Sequence, residues 1–439
     1  MSKKKHLNTA LCDFIQASPT PFHAVKNLSK ELSQAGYKLL YESDAWQLKP
    51  GQGYFVCRNS SSLIAFRTGY GVLQESGFKM VGVHTDSPCL KIKPQATLVN
   101  KGYAQCGVEV YGSVLLNPWF DRDLSLAGRV HYKQEDGEIG SCLIDFEKAI
   151  ASIPSLAIHL DREANSKRSI DKQKHLAPVL MQSSDDKEFD FNALLLCFLH
   201  KNLKLIDAQK ILSYELNFYD CQQPAVIGIR EEFIASARLD NLLSCYIGLQ
   251  SLIASNKDQP ALLVCSDHEE VGSVSASGAA GSFLEAVIER VSESLATESL
   301  SLQQEDKRRL LENSMLISVD NAHGIHPNHP EKHDQNHGPI LNQGPVLKIN
   351  ANQRYASNSE TSALLVSLCD VLDVPLQSFV VRSDMACGST IGPIIAAELG
   401  LKTIDLGVAT FAMHSIRELA GSKDTEYLFQ VLTAFFSES

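Results

Sequence analysis

Apolar residues near the start of the chain recur at helical spacing: Leu11, Phe14 and Ile15 share one face, and Val25, Leu28 and Leu32 form a second. Side chains so spaced stack on one side of a helix, which predicts two amphipathic helices on either side of the break Ser18-Pro19-Thr20-Pro21. The pattern then changes. Leu63 to Phe66 and Met80 to Val83 are short apolar runs that read as strands. From about Lys93 to Phe233 the segments alternate or are punctuated by glycine, as in Ala96 to Val99, Val108 to Leu116 and Ala127 to Tyr132. A polar tract, Ser183 to Lys187, follows before Phe189. This stretch is expected to be an inserted, largely β domain with a flexible loop.

From Ser236 the first pattern returns. Leu239, Leu242, Leu243, Tyr246, Ile247 and Leu249 fit a helix that begins near Asp240. The runs Ala261 to Cys265, Met315 to Val319, Ser378 to Val381 and Thr403 to Leu406 alternate with helical stretches such as Phe283 to Val291 and Ser359 to Leu372. Such alternation predicts an α/β domain, residues 1–92 and 236–439, with a central mixed sheet flanked by helices and a β-rich insertion at 93–235. No internal repeat is present.

Composition adds limits. The chain has 439 residues, 44% of them hydrophobic, enough for a large core divided between two domains. Its 51 acidic against 40 basic residues give a net charge of −11, which disfavours a nucleic-acid or anionic-membrane partner held by bulk electrostatics. The basic start Lys3 to Lys5 is not followed by an unbroken apolar core, so no secretory signal is expected. No run reaches the roughly 18 apolar residues of a membrane span. The eleven cysteines are scattered and never spaced as CxxC. That usage points to a reducing, cytoplasmic compartment and to no thiolate metal site.

In open α/β sheets ligands bind beyond the carboxyl ends of the strands, so polar residues there are the candidates. Met80 to Val83 leads into His84-Thr85-Asp86, Ala261 to Cys265 into Asp267-His268-Glu269-Glu270, and Met315 to Val319 into Asp320. Thr403 to Leu406 leads through a loop to His414. Asp240, at a helix start, reads equally as a helix cap. Asp86 lies two residues from His84 and is placed to orient its ring. Adjacent carboxylates such as Glu269 and Glu270 repel one another beyond a buried strand unless a cation or proton stabilises them, so one can bind metal while the other serves as a base. Imidazoles with carboxylates suit Zn²⁺, with Mn²⁺ or Co²⁺ as replacements. Three carboxylates and two imidazoles exceed the needs of one catalytic zinc, whereas a shared aspartate suits two ions around a bridging water.

Asp320 to His337 is dense in histidine, but Pro327 and Pro330 break any continuous helix, and a structured loop is expected there rather than a second metal site. The chain has no HExxH, GxSxG or P-loop, which removes the mechanical parts of thermolysin-type, serine-hydrolase and NTP-driven chemistry.

These motifs resemble those of the aspartyl aminopeptidases, co-catalytic zinc exopeptidases. The matching strings are SPTPFHAV from Ser18, VGVHTDSPCLKIKP from Val81, IHLDRE from Ile158, SARLDNL from Ser236, DHEEVGS from Asp267, HPN from His326, GPVLKIN from Gly344, QRYASN from Gln353, CGSTIGP from Cys387 and DLGVATFAMHSIRE from Asp405. They run in the family's order over almost the whole chain. The resemblance implies that Asp240 bridges two zinc ions, with His84, Asp320, Glu270 and His414 completing their shells, and that Glu269 is the general base. It implies that His159, on the inserted domain, reaches a neighbouring subunit's site, and that Lys348 holds an acidic substrate side chain. Gly388 and Ser389 fall in a loop expected to shape the pocket, glycine allowing close approach. The family fold is an α/β metallopeptidase domain interrupted by a β-rich dimerisation domain, commonly assembled into dodecamers. The substrates implied are peptides with a free N-terminus. A di-zinc dipeptidase or deacylase is a rival within the same chemistry, and a non-catalytic assembly protein is a rival outside it.

Overall fold

The computed structural model of the chain describes residues 3–183, 189–295 and 304–438. The apolar periodicity of the N-terminus becomes two helices, Lys3–Gln16 and Pro21–Gln34. Pro21 opens the second, where its missing N–H would have had no partner in any case. Contacts divide the chain into two units, one of Met1–Ser87, Pro224–Met413 and Glu418–Ser439, the other of Pro88–Gln223 and His414–Arg417.

The first unit is built on a nine-stranded sheet in the order Lys38–Leu40, Gly53–Arg58, Ser62–Arg67, Ala261–Ser266, Lys79–His84, Met315–Val319, Lys402–Gly407, Val346–Ile349, Gln377–Val380. The Ala261, Lys79, Met315 and Lys402 strands run parallel at its centre. Apart from Lys79 and Lys402 at their starts, every residue of these four strands is buried. They are covered on both faces, which is why they read as largely apolar runs. Leu263, Cys265, Val81, Val83 and Ile317 pack with Leu11, Phe14, Val25, Leu28, Leu242 and Leu428 from helices on one side. Leu262, Val264, Met80 and Leu316 pack with Phe283, Val287, Ile288, Ile391 and Ile395 from helices on the other. Each such side chain, fully buried, contributes about 1.5–3 kcal/mol, so the strand ends rest on a stiff platform. A second sheet of this unit joins Ala225–Ile227, Phe233–Ser236, Glu418–Gly421, Ala409–Phe411 and Ala322–His323. The unit is thus α/β, with a mixed sheet between helical layers.

The second unit is β-rich. Its six-stranded sheet has the order Ile139–Asp145, Leu124–Gln134, Ala208–Asp220, Cys89–Asn100, Tyr103–Tyr111, Val179–Gln182, with every neighbouring pair antiparallel. The helix Phe191–Asn202 buries Leu195 and Leu199 in a core with Leu90, Leu126 and Phe218.

The structure differs from the expected pattern in detail. The strand expected over Val108 to Leu116 ends at Tyr111, where Gly112 takes φ +72° and turns the chain. The second unit starts at Pro88, before the expected 93, because the Cys89 strand pairs within it. It ends at Gln223, since Ala225–Ile227 and Phe233–Ser236 pair with one another and with Glu418–Gly421 in the first unit. Of the polar tract Ser183 to Lys187, residues 184–187 lie outside the described residues. No helix among the described residues is long and apolar enough to cross a membrane.

Candidate metal centre

His84 closes the strand Lys79–His84, and Asp320 follows Met315–Val319 directly. Glu269 and Glu270 open a 3-10 turn, Glu269–Val271, soon after Ala261–Ser266, with His268 in the left-handed conformation at φ +61° to swing the chain round. Because these strands are parallel neighbours, their ends share one edge of the sheet, where ligand sites of open α/β sheets form.

Asp240 joins them from the helix Leu239–Ala254. Its φ of −82° and ψ of 106° are not helical, and the cap position of this helix is taken by Arg238, so the plain helix-cap alternative does not describe Asp240. Its N–H donates to Glu418 at 3.0 Å, and its carbonyl accepts from the Ser87 hydroxyl at 2.6 Å. The next residue, Asn241, donates to the Val319 carbonyl at 2.8 Å and ties the helix start to the strand that delivers Asp320.

The His84 Nε2 atom lies 3.3 Å from Asp240 Oδ1, 3.7 Å from Asp320 Oδ1 and 3.9 Å from Glu269 Oε2. Donor atoms of His84, Asp240 and Asp320 all fall within 4.8 Å of one another, as do those of His84, Glu269 and Glu270. Burial alone would lower the pKa of His84, but hydrogen bonding to Asp240, Asp320 and Asp86 outweighs it and holds the ring well above its ordinary value. Burial raises Glu269 to about 8, opposed by His84 and reinforced by Asp320, Asp240 and Asp86. Burial likewise pushes Glu270 well up, with Asp240 adding to it. Such crowding of carboxylates in a buried site calls for a cation.

Asp86 acts on two neighbours at once. Its carboxylate oxygens accept the backbone N–H groups of Glu269 and Glu270, each at 3.1 Å, and so hold the turn that presents both glutamates. The Nδ1 atom of His84 lies 3.1 Å from the Asp86 backbone carbonyl and 3.4 Å from its carboxylate, which aims Nε2 at the cluster. The donor chemistry fits zinc: an oriented imidazole, several carboxylates and no thiolate. The Cys245 thiol is near, but it donates to the His84 backbone carbonyl at 3.0 Å, and burial pushes its pKa well up, which keeps it from acting as a thiolate ligand.

Lys348, on the strand Val346–Ile349, is 1% exposed. Its ammonium lies 3.4 Å from Asp320 Oδ2, donates to the Asn321 carbonyl at 3.2 Å, and sits 5.1 Å from the centre of the Tyr355 ring. Tyr355 lines a cavity of about 310 Å³ together with His323, Lys332, His333, Phe379, Arg382, Cys387 and Gly388. A Cβ on Gly388 would meet only open space. Ser389 donates to the Arg354 carbonyl at 3.3 Å.

Two candidates belong to the second unit. The backbone carbonyl of His414 accepts from Leu115 at 3.0 Å, and its Nδ1 lies 3.1 Å from the Ser113 carbonyl. His159 is exposed on a turn closed by the Leu160 N–H on the Ala157 carbonyl at 2.8 Å. Among the described residues, none of the histidines from His323 to His337 joins a group able to hold a metal. Beyond the short strand Ala322–His323 that segment is a loop with one short 3-10 turn, Pro330–Lys332, as its prolines lead one to expect. Glu418, which fixes Asp240, closes the last of the motif strings, yet its role depends on a strand pairing that local pattern does not reveal.

A family model described as aminopeptidase I zinc metalloprotease (M18) matches residues 14–436. A protein of Pseudomonas savastanoi pv. phaseolicola (strain 1448A / Race 6), named a probable M18 family aminopeptidase 2, is 55% identical over 434 residues, 99% of each chain. Among solved structures, a chain of the cryo-EM structure of the Ape4 and Nbr1 complex is 40% identical with a TM-score of 0.93, over 99% of this chain and 87% of that one. The structure of the S. cerevisiae mApe1 dodecamer matches at 30% identity and a TM-score of 0.84, over 98% of this chain and 96% of that one.

Proposed function

The chain belongs to the M18 zinc aminopeptidase family, and from that premise we propose that it releases N-terminal aspartate and glutamate from peptides with two zinc ions per subunit. The observation that carries this reading is the convergence of His84, Asp240, Asp320, Glu269 and Glu270 at one sheet edge. His84 and Asp320 would hold one ion and Glu270 and His414 the other, with Asp240 shared between them. His414 enters the set by its place in the chain, three residues beyond the strand Ala409–Phe411 of the first unit. Bound zinc supplies a Lewis acid for the scissile carbonyl and lowers the pKa of the water held beside it.

Glu269 takes a proton from the attacking water and passes it to the leaving amine. Asp86 keeps Glu269 and the His84 ring in place for this. The cavity beside Tyr355 receives the side chain of the first residue. Its described lining holds Lys332, Arg382, His323 and His333 and no carboxylate; Arg382 is paired with Asp384 at 2.7 Å, and the Lys348 ammonium, paired with Asp320, lies over the Tyr355 ring. Gly388 leaves room at the rim, and Ser389 holds the loop to Arg354. This lining favours an acidic side chain.

The second unit supplies the dimer contact. Leu156, Ile158 and Leu160 are 60%, 48% and 74% exposed around His159, an apolar setting suited to burial against a second copy. His159 then serves the neighbour's site, and such dimers assemble further, to a dodecamer like that of mApe1. A cytoplasmic location accords with eleven cysteines among which the described residues form no disulfide. The separate roles are tested by zinc content and turnover together: Glu269→Gln is expected to keep both ions and lose roughly 10²–10⁴ in kcat, whereas Asp240→Asn loses zinc. A Glu269→Gln variant that remains active would remove the base assignment.

A further inference from the structure

Asp405 is a fully buried carboxylate on the strand Lys402–Gly407 that the reaction above does not use. Its Oδ1 accepts the Thr390 hydroxyl at 2.5 Å, and its Oδ2 accepts the Ala356 N–H at 2.6 Å. The Asp405 N–H donates to the Ser357 hydroxyl at 2.8 Å. A Cβ on Gly392 would come within 2.6 Å of Oδ2, so only glycine leaves space for the carboxylate against the first turn of the helix Ile391–Leu399. The antiparallel register Leu347↔Leu406 sets Lys348 opposite Asp405 one step on. Burial raises the Asp405 pKa, while Lys348, Thr390, Ala356 and Ser318 pull it the other way.

The partners of this carboxylate adjoin the cavity wall. Ala356 follows Tyr355, which lines the cavity, and Thr390 ends the loop whose Cys387 and Gly388 also line it. Lys348 lies over the Tyr355 ring. We propose that Asp405 is a positioning residue: by gripping Ala356 and Thr390 together it fixes two walls of the side-chain cavity and sets how tightly the first residue of the substrate is held. This rests on the reading of that cavity as the site of the first side chain.

A glycyl substrate has no side chain to place there, so it reports everything except the cavity. The experiment compares kcat/KM for the best aminoacyl substrate of the wild type with that for the glycyl analogue, in zinc-loaded wild type, Asp405→Asn, Thr390→Val and Thr390→Ser. Asn keeps the shape of Asp405 but turns an N–H₂ toward one of its two donors. The ratio is expected to fall about tenfold in Asp405→Asn, mainly through KM and at unchanged zinc content. Thr390→Val, which deletes the hydroxyl bonded to Asp405 and with it the longer 3.3 Å bond from the Gly392 N–H, is expected to move it the same way, and Thr390→Ser to restore it. If Asp405→Asn does not fold, the two Thr390 variants decide. A uniform loss on both substrates, or an unchanged ratio in variants that keep zinc, would overturn the proposal. A wild type that cleaves both substrates equally well would overturn the cavity assignment, and the proposal with it.

Discussion

Substituting Asp86 by Asn tests whether the site depends on the carboxylate that joins the His84 ring to the Glu269–Glu270 turn. Asp86 is 1% exposed, and its two oxygens accept two backbone N–H groups at 3.1 Å. Asn has one oxygen, so one of the two amides would face an N–H₂ group. A hydrogen bond to a charged acceptor contributes about 1.5–3 kcal/mol, and a buried donor left without a partner costs about 1–3 kcal/mol. If about 1.5–3 kcal/mol of this reaches the transition state, kcat/KM falls roughly 10–150-fold. The loosened His84 ring should also lower zinc affinity by roughly 10–100-fold, as loss of a group supporting a metal ligand does. Kinetics on free-amine aminoacyl substrates at saturating zinc, together with chelator competition for zinc affinity, separate the two effects. Thermal unfolding of the zinc-loaded variant checks that the fold survives. A variant within about twofold of wild type in both readings would show that Asp86 is only a polar strand end and that the turn holds itself.

Zinc should reverse the pH dependence of stability. Glu269 is raised to about 8 and Glu270 well above its ordinary value in the zinc-free chain, so the folded state keeps protons that the unfolded state has released. The zinc-free protein should therefore lose stability as pH rises from the ordinary carboxylate range to about 8. Zinc binding should release protons and tighten over the same range. Thermal unfolding with and without a chelator at several pH values checks the first point, and calorimetry in buffers of different ionisation enthalpy checks the second; a zinc-free protein most stable at high pH would contradict both. His159→Ala should lower kcat/KM at unchanged zinc content, and dilution that dissociates the wild-type oligomer should do the same. Full activity of a wild-type monomer would remove His159 from the site.

The placement of the cluster was largely legible in the sequence, for a physical reason. The Lys79, Ala261 and Met315 strands are buried on both faces, so they read as apolar runs, and the first polar residues after them mark the sheet edge. Asp405 escaped that logic because it lies inside such a run, and its partners Thr390 and Ala356 come from 15 and 49 residues away in sequence. The bond from Asp240 to Glu418 spans 178 residues and depends on a strand pairing with no local signal. Asp86 was visible as a neighbour of His84, but its grip on the Glu269–Glu270 turn was not. The resemblance offers Lys348 as a cation for the substrate, and its pairing with Asp320, across a gap of 28 residues in the chain, has no local signal in the sequence. The long strand Ala208–Asp220 loses its alternation at its start, where register shifts between Ala208 and Lys210 and between Ile211 and Ser213 each leave two exposed residues in a row.

Hydrolysis of a panel of aminoacyl chromogenic substrates by the zinc-loaded protein, with Asp and Glu beside Leu, Ala and Lys and an N-blocked copy of each, reads both the need for a free amine and the preference for an acidic side chain. An aminopeptidase selective for acidic residues cleaves the free-amine substrates alone, with Asp and Glu ahead of the rest. Cleavage of the blocked substrates, or no cleavage with zinc bound, would contradict this reading.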